Sequence, residues 1–256
     1  MINFSKIITL LAIAFTLSSH AQTADEILDT YFDNIGGLDK LKAVEGIKIT
    51  LSLNQGGMEF PIESIQMKDG RQMTKITFQG QEIKQGVFDG TTLWSSNFMT
   101  MQAEKSDAEA FENFKLTLND FMDEFIDYKE KGYTVEMMGK ETIDGTETFK
   151  LKLTKEPLTI EGQLVDDVSY YYFDTENFIP IAVQTEIKEG PEKGMIGEST
   201  MSDYQEVDGI YFPFSMTQGI KDQMTQPLTV VNIELNPEVT DDMFAFPDSL
   251  KSDGGN

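Results

Sequence analysis

Acidic side chains are the first residues in this sequence that could do chemistry, and some come in adjacent pairs: Asp166-Asp167 and Asp241-Asp242. Two converging carboxylates can hold a cation or divide acid and base roles in glycoside hydrolysis. A calcium loop spaces its ligands as Asp-x-Asp-x-Asp-Gly, and no such run occurs. With 44 acidic residues in the chain, adjacent pairs also arise by chance. The remaining chemistry is narrowed by what is missing. The chain has no cysteine, and its one histidine, His20, lies in an N-terminal stretch that reads as a leader. Without it, Ser-His-Asp and Cys-His catalysis, histidine-ligated zinc and thiolate metal sites are all excluded. No cofactor and no covalent chemistry are expected.

That leader is "MINFSKIITLLAIAFTLSSHAQ": Lys6, an apolar core from Ile7 to Leu17, then Ser19-x-Ala21. The pattern predicts a signal peptide cleaved after Ala21, because the apolar core is too short to span a bilayer. A retained anchor is the alternative. An exported chain without cysteine has neither disulfides nor a lipid-modified N-terminal cysteine and must rely on an ordinary core. The formal net charge is −24, and loss of Lys6 with the leader makes it more negative by one. Such a surface repels nucleic acid and anionic headgroups, so neither is expected as a partner.

Two periodicities describe what must position any site. "TADEILDTYFDNIGG" has Thr23 and Glu26 spaced as a capping box, with Ile27, Leu28, Tyr31 and Ile35 at helical intervals and Gly36-Gly37 as a stop. A short second helix follows at "LDKLKAV". From Ile47 the period becomes two, with Ile47, Ile49, Leu51 and Leu53 alternating with polar residues. Strand-like runs then succeed one another between Gly-containing turns: "MEFPIESIQMK", "RQMTKITFQ", "EIKQGVF" and "TTLWSSNFMTMQ". A long helix is expected over "SDAEAFENFKLTLNDFMDEFIDYKEKG", with Ser106 and Glu109 as a capping box and Gly132 as its stop. After it the strand pattern resumes from "YTVEMMG" to "LTVVNIELN", and the last residues, 249–256, read as a polar tail.

Asp-Gly recurs at Asp89-Gly90, Asp144-Gly145 and Asp208-Gly209. The pair supplies the positive φ angles that two-residue hairpins need. The segments between the copies differ, since one of them alone holds the long helix. The expectation is therefore one large antiparallel sheet over 22–248, not a repeat.

Several segments, in this order, resemble the LolA/LolB-like periplasmic carriers that sort outer-membrane lipoproteins. They are the N-terminal helix with the strand Ile47 to Leu53, then "IQMKDGRQMTKITF", and then "GVFDGTTLWSSNFMTMQ" with its apolar-x-Asp-Gly-x-x-Leu-Trp run. "YYYFDTENFIPIAVQTE", "SDYQEVDGIYFPFSM" and the closing "DDMFAFPDS" follow. The resemblance implies an unclosed antiparallel β-barrel, mainly β with helices, covered by an α-helical lid. It also implies an apolar cavity for lipid or lipoprotein acyl chains, an inner-membrane exporter and an outer-membrane acceptor.

On that reading the cavity is expected to be lined by Ile49, Leu51, Met58, Phe60, Met67, Ile76, Phe78 and Trp94. Met73, Met99 and Met101 lie in the same early strands, and flexible methionines suit an ill-defined cargo. Phe111, Phe114, Leu118, Phe121 and Phe125 are expected on the underside of the lid. Arg71, the sole arginine, is implied by the resemblance to hold the lid shut through carbonyl groups, which a guanidinium bridges better than an ammonium. The alternatives are a solid core filled by these side chains, a permanently docked helix and a solvated Arg71. At the level of function they are an envelope sensor or interaction module of the same fold and, further off, a carboxylate hydrolase.

Overall fold

A computed structural model describes residues 22–55, 57–223 and 225–247. The expected leader and the tail 249–256 lie outside the described residues. Helix α1 (Ala24–Asn34) begins at the expected capping box: Glu26 N–H donates to Thr23 Oγ1 at 3.2 Å, and Thr23 N–H donates to Glu26 Oε2 at 2.9 Å. Helix α2 (Leu38–Ala43) follows the Gly36-Gly37 turn.

Strands β1 (Gly46–Gln55), β2 (Met58–Met67), β3 (Gln72–Phe78), β4 (Gln81–Phe88), β5 (Leu93–Ser96) and β6 (Ala103–Lys105) form an antiparallel meander. The run "TTLWSSNFMTMQ", expected as one strand, is β5 and a turn leading to β6. Asn97 breaks it, since its Oδ1 accepts from the N–H groups of Met99 and Thr100. After helix α3 (Ala108–Thr117) come β7 (Thr134–Ile143) and β8 (Thr146–Thr154). A separate hairpin of β9 (Leu158–Ile160) and β10 (Gln163–Val165) follows, its three-residue strands too short to carry a readable alternation. The chain closes with β11 (Val168–Asp174), β12 (Pro180–Glu186), β13 (Ile196–Val207), β14 (Ile210–Ile220) and β15 (Thr225–Leu235).

Thirteen strands make one antiparallel sheet in the order β6-β5-β4-β3-β2-β1-β15-β14-β13-β12-β11-β8-β7. The last strand returns to pair with the first, Ile47 facing Leu235, so the two meanders join at the centre. Edges β6 and β7 do not meet, and the barrel stays open. Edge β7 carries a bulge between Met137 and Gly139, with Gly139 at φ 115°.

Asp-Gly serves two kinds of turn. At Asp144-Gly145 and Asp208-Gly209 both residues have positive φ, as a tight two-residue hairpin requires. Asp89-Gly90 departs from the expectation. There the Asp89 carboxylate accepts from the N–H groups of Thr91 and Thr92, forming a wider loop around the side chain.

The long helix is also shorter than its sequence suggests. Asp107, not Ser106, caps α3 by accepting from Ala110 N–H at 2.8 Å. Glu109 is spent elsewhere, its two oxygens accepting from the N–H groups of Glu161 and Gly162 at the β9–β10 turn. After a 3₁₀ turn at Leu118–Asp120, Met122 adopts φ 67° and Asp123 turns the chain by accepting from Phe125 N–H at 2.7 Å. The phenylalanine stripe is therefore bent. Phe111 and Phe114 meet Phe88, whereas Phe125 is buried against Tyr171 and Phe173.

The main core lies where α1 and α2 cover β8 and β11: Ile27, Leu28, Tyr31 and Phe32 pack with Phe149, Leu151, Leu153 and Phe173. Each large apolar side chain fully buried here contributes about 1.5–3 kcal/mol.

Candidate functional site: an apolar groove on the concave face

Strand registers define two rows of apolar side chains across one face of the sheet. Val230 faces Leu51, Leu51 faces Ile62, Ile62 faces Ile76 and Ile76 faces Ile83. The next row runs Met201, Met216, Leu228, Leu53 and Phe60, ending on Phe78, whose ring stacks on Phe60 at 5.5 Å. Residues directly opposite in antiparallel strands share a face, so these rows line one concave surface.

Cover over this surface is partial. Phe121 and Met122, from the bend after α3, pack on Ile47, Val230 and Ile233 near the middle of the sheet. Beyond them Leu51, Leu53, Ile62 and Leu228 stay half-exposed and, with Gln218, Gly219, Ile220 and Gln226, line a cavity of about 450 Å³. Covering these half-open apolar side chains would release water from them, with Gln218 and Gln226 the polar groups left to be satisfied.

The expected site residues divide among several places. Leu51, Phe60, Ile76 and Phe78 lie on the concave rows and Ile49, opposite Ile233, on the same face; Phe78 is exposed at the outer end. Met58, expected in the cavity, is exposed at the β1–β2 turn, and Met99 and Met101 are exposed at the β5–β6 turn. These residues sit at hairpin tips, where the sheet ends and nothing covers them. Met67, Leu118 and Phe121 border a second space of about 200 Å³ under the end of α3. Phe111 and Phe114 pack on Phe88 outside that space.

Trp94 belongs to the other side of the sheet. Ile65 faces Lys48 and Met73, three positions from Ile62 and hence on the opposite face, and its cluster includes Met73, Val87, Trp94 and Phe244. The C-terminal segment 237–247 covers this outer cluster. Period-two alternation could have separated Ile65 from Ile62, but no sequence signal reveals that a distant tail supplies the cover.

Arg71 is bound to that tail as well. Its Nη1 donates to Asp241 at 2.7 Å and its Nε to Asp69 at 2.9 Å, with the guanidinium 5.4 Å from the Phe244 ring centre. Its partners are carboxylates, not the lid carbonyls that the resemblance implied, because the Asp69-Gly70 turn directs it to the outer face. The Asp241-Asp242 pair is thereby partly explained as an anchor. Asp166-Asp167 forms no cation site with other acids, and no metal-binding cluster occurs among the described residues.

Sequence reading missed the polar knot that fixes the bend. Lys155 Nζ lies 2.9 Å from Glu124 Oε2 and 3.2 Å from Asp120 Oδ2, and Lys131 lies 3.2 Å from Asp120 Oδ1. Tyr133 donates to Asp120 at 3.1 Å, and Tyr31 of α1 donates to Asp123 at 2.7 Å. Burial raises the pKa values of Asp123 and Glu124 from their ordinary values. Burial alone would lower Lys155, but Glu124 and Asp120 outweigh it and hold the ammonium well above its ordinary value. The knot borders a cavity of about 440 Å³ between the bend, α1 and the β13–β14 hairpin, lined on its other side by Tyr204, Tyr211 and Phe212.

No protein-family description and no curated protein matches the sequence. Solved structures do. The chain is similar to a LolA superfamily protein from Nitrosomonas europaea, with a TM-score of 0.51 and 15% identity over 88% of this chain and 98% of that one. It is similar also to a DUF1329 family protein from Desulfovibrio piger ATCC 29098, with a TM-score of 0.50 and 14% identity over 86% of this chain and 97% of that one. At these identities the likeness is one of fold, and by fold the chain is a LolA/LolB-like half-barrel.

Proposed function

We propose that this protein is a periplasmic carrier that holds the acyl chains of a lipid or lipoprotein in the concave groove. The observation that supports this reading is the pair of apolar rows left half-open beyond Phe121 and Met122, beside a cavity of about 450 Å³. A well-packed protein gains by covering such a surface, and a carrier keeps it available. Each methylene that leaves water for the groove contributes about 0.8 kcal/mol, so micromolar binding takes about ten buried methylenes before the cost of association is met. Met201 and Met216 at the end of the second row add side chains that adapt to a cargo without fixed shape. An exporter in the inner membrane and an acceptor in the outer membrane complete the proposal, with the leader placing the chain between them.

Native mass spectrometry of protein purified without detergent tests the reading. A bound mass that extracts as a lipid or acylated peptide supports it and gives the cargo class. Empty protein that also leaves a fluorescent fatty acid unbound overturns it in favour of an interaction module.

A further inference from the structure

Six aromatic residues line the cavity of about 440 Å³ beside the bend: Tyr31, Phe125, Tyr171, Tyr204, Tyr211 and Phe212. They come from α1, the bend, β11, β13 and β14, so only the folded chain brings them together. The charged residues on the same walls are Asp120, Asp123, Glu124 and Lys155, three carboxylates against one ammonium. A largely apolar space of this size with a few convergent polar groups is the kind that holds a small molecule.

The nearby ammonium groups are already committed. Lys155 pairs with Glu124 and Asp120 and lies 3.7 Å from Asp167. Lys131 donates to Asp120 and to the carbonyls of Asn119 and Glu124, which occupies all of its protons. Asp123 is left with two neutral donors, the Tyr31 hydroxyl and the Phe125 N–H, each at 2.7 Å. Among the described residues it forms no ion pair of its own. A carboxylate withdrawn from water without a counter-cation is costly. Tyr204 donates its hydroxyl proton to the Pro180 carbonyl at 2.6 Å. Around Asp123, Tyr31 and Tyr204 therefore offer rings and acceptor oxygens, and no free proton.

We infer that this cavity binds a small organic ammonium ion, its charge beside Asp123 and its alkyl groups against the aromatic walls. Ring faces attract such a cation by about 2 kcal/mol where water is excluded, and the cation gives Asp123 the counter-charge that the chain does not. Other occupants fit less well. An anion meets three carboxylates, and a neutral apolar molecule leaves Asp123 uncompensated. A bare metal ion finds no cluster of ligands among the described residues. The cavity shares none of its lining residues with the space beside Leu53 and Leu228, so the inference does not depend on the carrier reading.

Isothermal titration of the full chain with choline and with its uncharged isostere, 3,3-dimethyl-1-butanol, tests the inference. Choline should bind about tenfold more tightly than the alcohol. Asp123→Asn, which keeps an oxygen for the Phe125 N–H, should abolish that preference and leave the alcohol's affinity unchanged. Tyr211→Leu removes a ring that is 41% exposed, so the urea midpoint should hold while choline affinity falls about threefold. It carries the comparison if Asp123→Asn unfolds. Asp123 faces Tyr31 of α1, Tyr204 of β13, and Asp120, Glu124 and Lys131 around the bend. Burial raises its pKa, so choline binding should weaken as pH falls through that value, and Asp123→Asn should lose most of the dependence. No choline binding, equal binding of choline and the alcohol, or an unchanged preference in both variants overturns the inference. Leu53→Gln, in the acyl groove, should leave choline binding intact. Choline binding lost there would put the ammonium in the groove and overturn the inner site, whereas wild-type protein that binds choline and no fatty acid would overturn the carrier reading alone.

Discussion

The indole Nε1 of Trp94 donates to the carbonyl of Phe244 at 3.0 Å, joining residues 150 positions apart in a buried bond on the outer face of the sheet. Around it Phe246 meets the indole edge-on at 5.8 Å, and Phe244 is fully buried. The tail is thus a structural element, and the tryptophan is its clamp.

Trp94→Phe should therefore destabilise the fold. It leaves the Phe244 carbonyl without its donor in a buried place, at about 1–3 kcal/mol, and the smaller ring adds a cavity term. Urea unfolding should move to a lower midpoint, while affinity for an acyl probe in the groove stays unchanged.

Arg71→Lys separates an anchor of the tail from a latch of the lid. Lysine keeps the charge and gives up the guanidinium's simultaneous contacts with Asp69 and Asp241; with Asp241 almost fully exposed, the change should cost less than about 1 kcal/mol globally. Hydrogen exchange should rise at the N–H groups of Phe244 and Ala245, which donate to the Asp241 carbonyl, and stay unchanged in α3. Faster exchange in α3 would assign Arg71 to the lid after all.

Leu53→Gln should weaken binding of a fluorescent fatty acid about tenfold, the equivalent of roughly 1.5 kcal/mol of apolar contact. Because Leu53 is half-exposed in the empty groove, stability should change little. Equal losses of stability and affinity would mean that the side chain is core.

Acidification from neutrality should at first stabilise the protein. Asp123 and Glu124 have folded-state pKa values raised by burial, so the folded state binds protons more tightly there than the unfolded chain. Their favourable contribution is complete below the unfolded carboxylate pKa and is lost as pH rises through the raised values. Falling net negative charge acts in the same direction. Asp25, held low by Lys129, and Asp69, held low by Arg71, have the opposite sign. Their stabilisation is present above the unfolded pKa and disappears as pH falls through the lowered values. Melting temperature should thus pass through a maximum on the acid side of neutrality, and Glu124→Gln should flatten its neutral flank.

Much of the sheet was legible because its signals are local. The alternation Ile47, Ile49, Leu51, Leu53 gives both the strand and its apolar face, and Thr23 with Glu26 gives the start of α1. The long helix misled because Ser106 and Glu109 satisfy the spacing of a capping box while Asp107 takes the cap. Nothing local announces that Met122 turns to positive φ, since the force holding that bend comes from Lys155 and Tyr31, remote in sequence. Site residues divided the same way. Leu51, Phe60 and Ile76 follow from alternation, whereas the place of Trp94 depends on the far end of the chain. The hairpin methionines looked like lining because composition does not distinguish a strand's middle from its tip.

An unclosed sheet has two free edges, and each could recruit strands from other chains into a growing fibre. Strand β6 offers only three residues. Strand β7 is longer, but Glu136, Lys140 and Glu141 lie along it and the bulge at Gly139 interrupts its row of bonding groups. A flat strand approaching β7 would meet charge and a break in register. The opening on the concave face is thus kept from becoming a seed for aggregation, so the sheet can stay unclosed even where many copies of the chain meet.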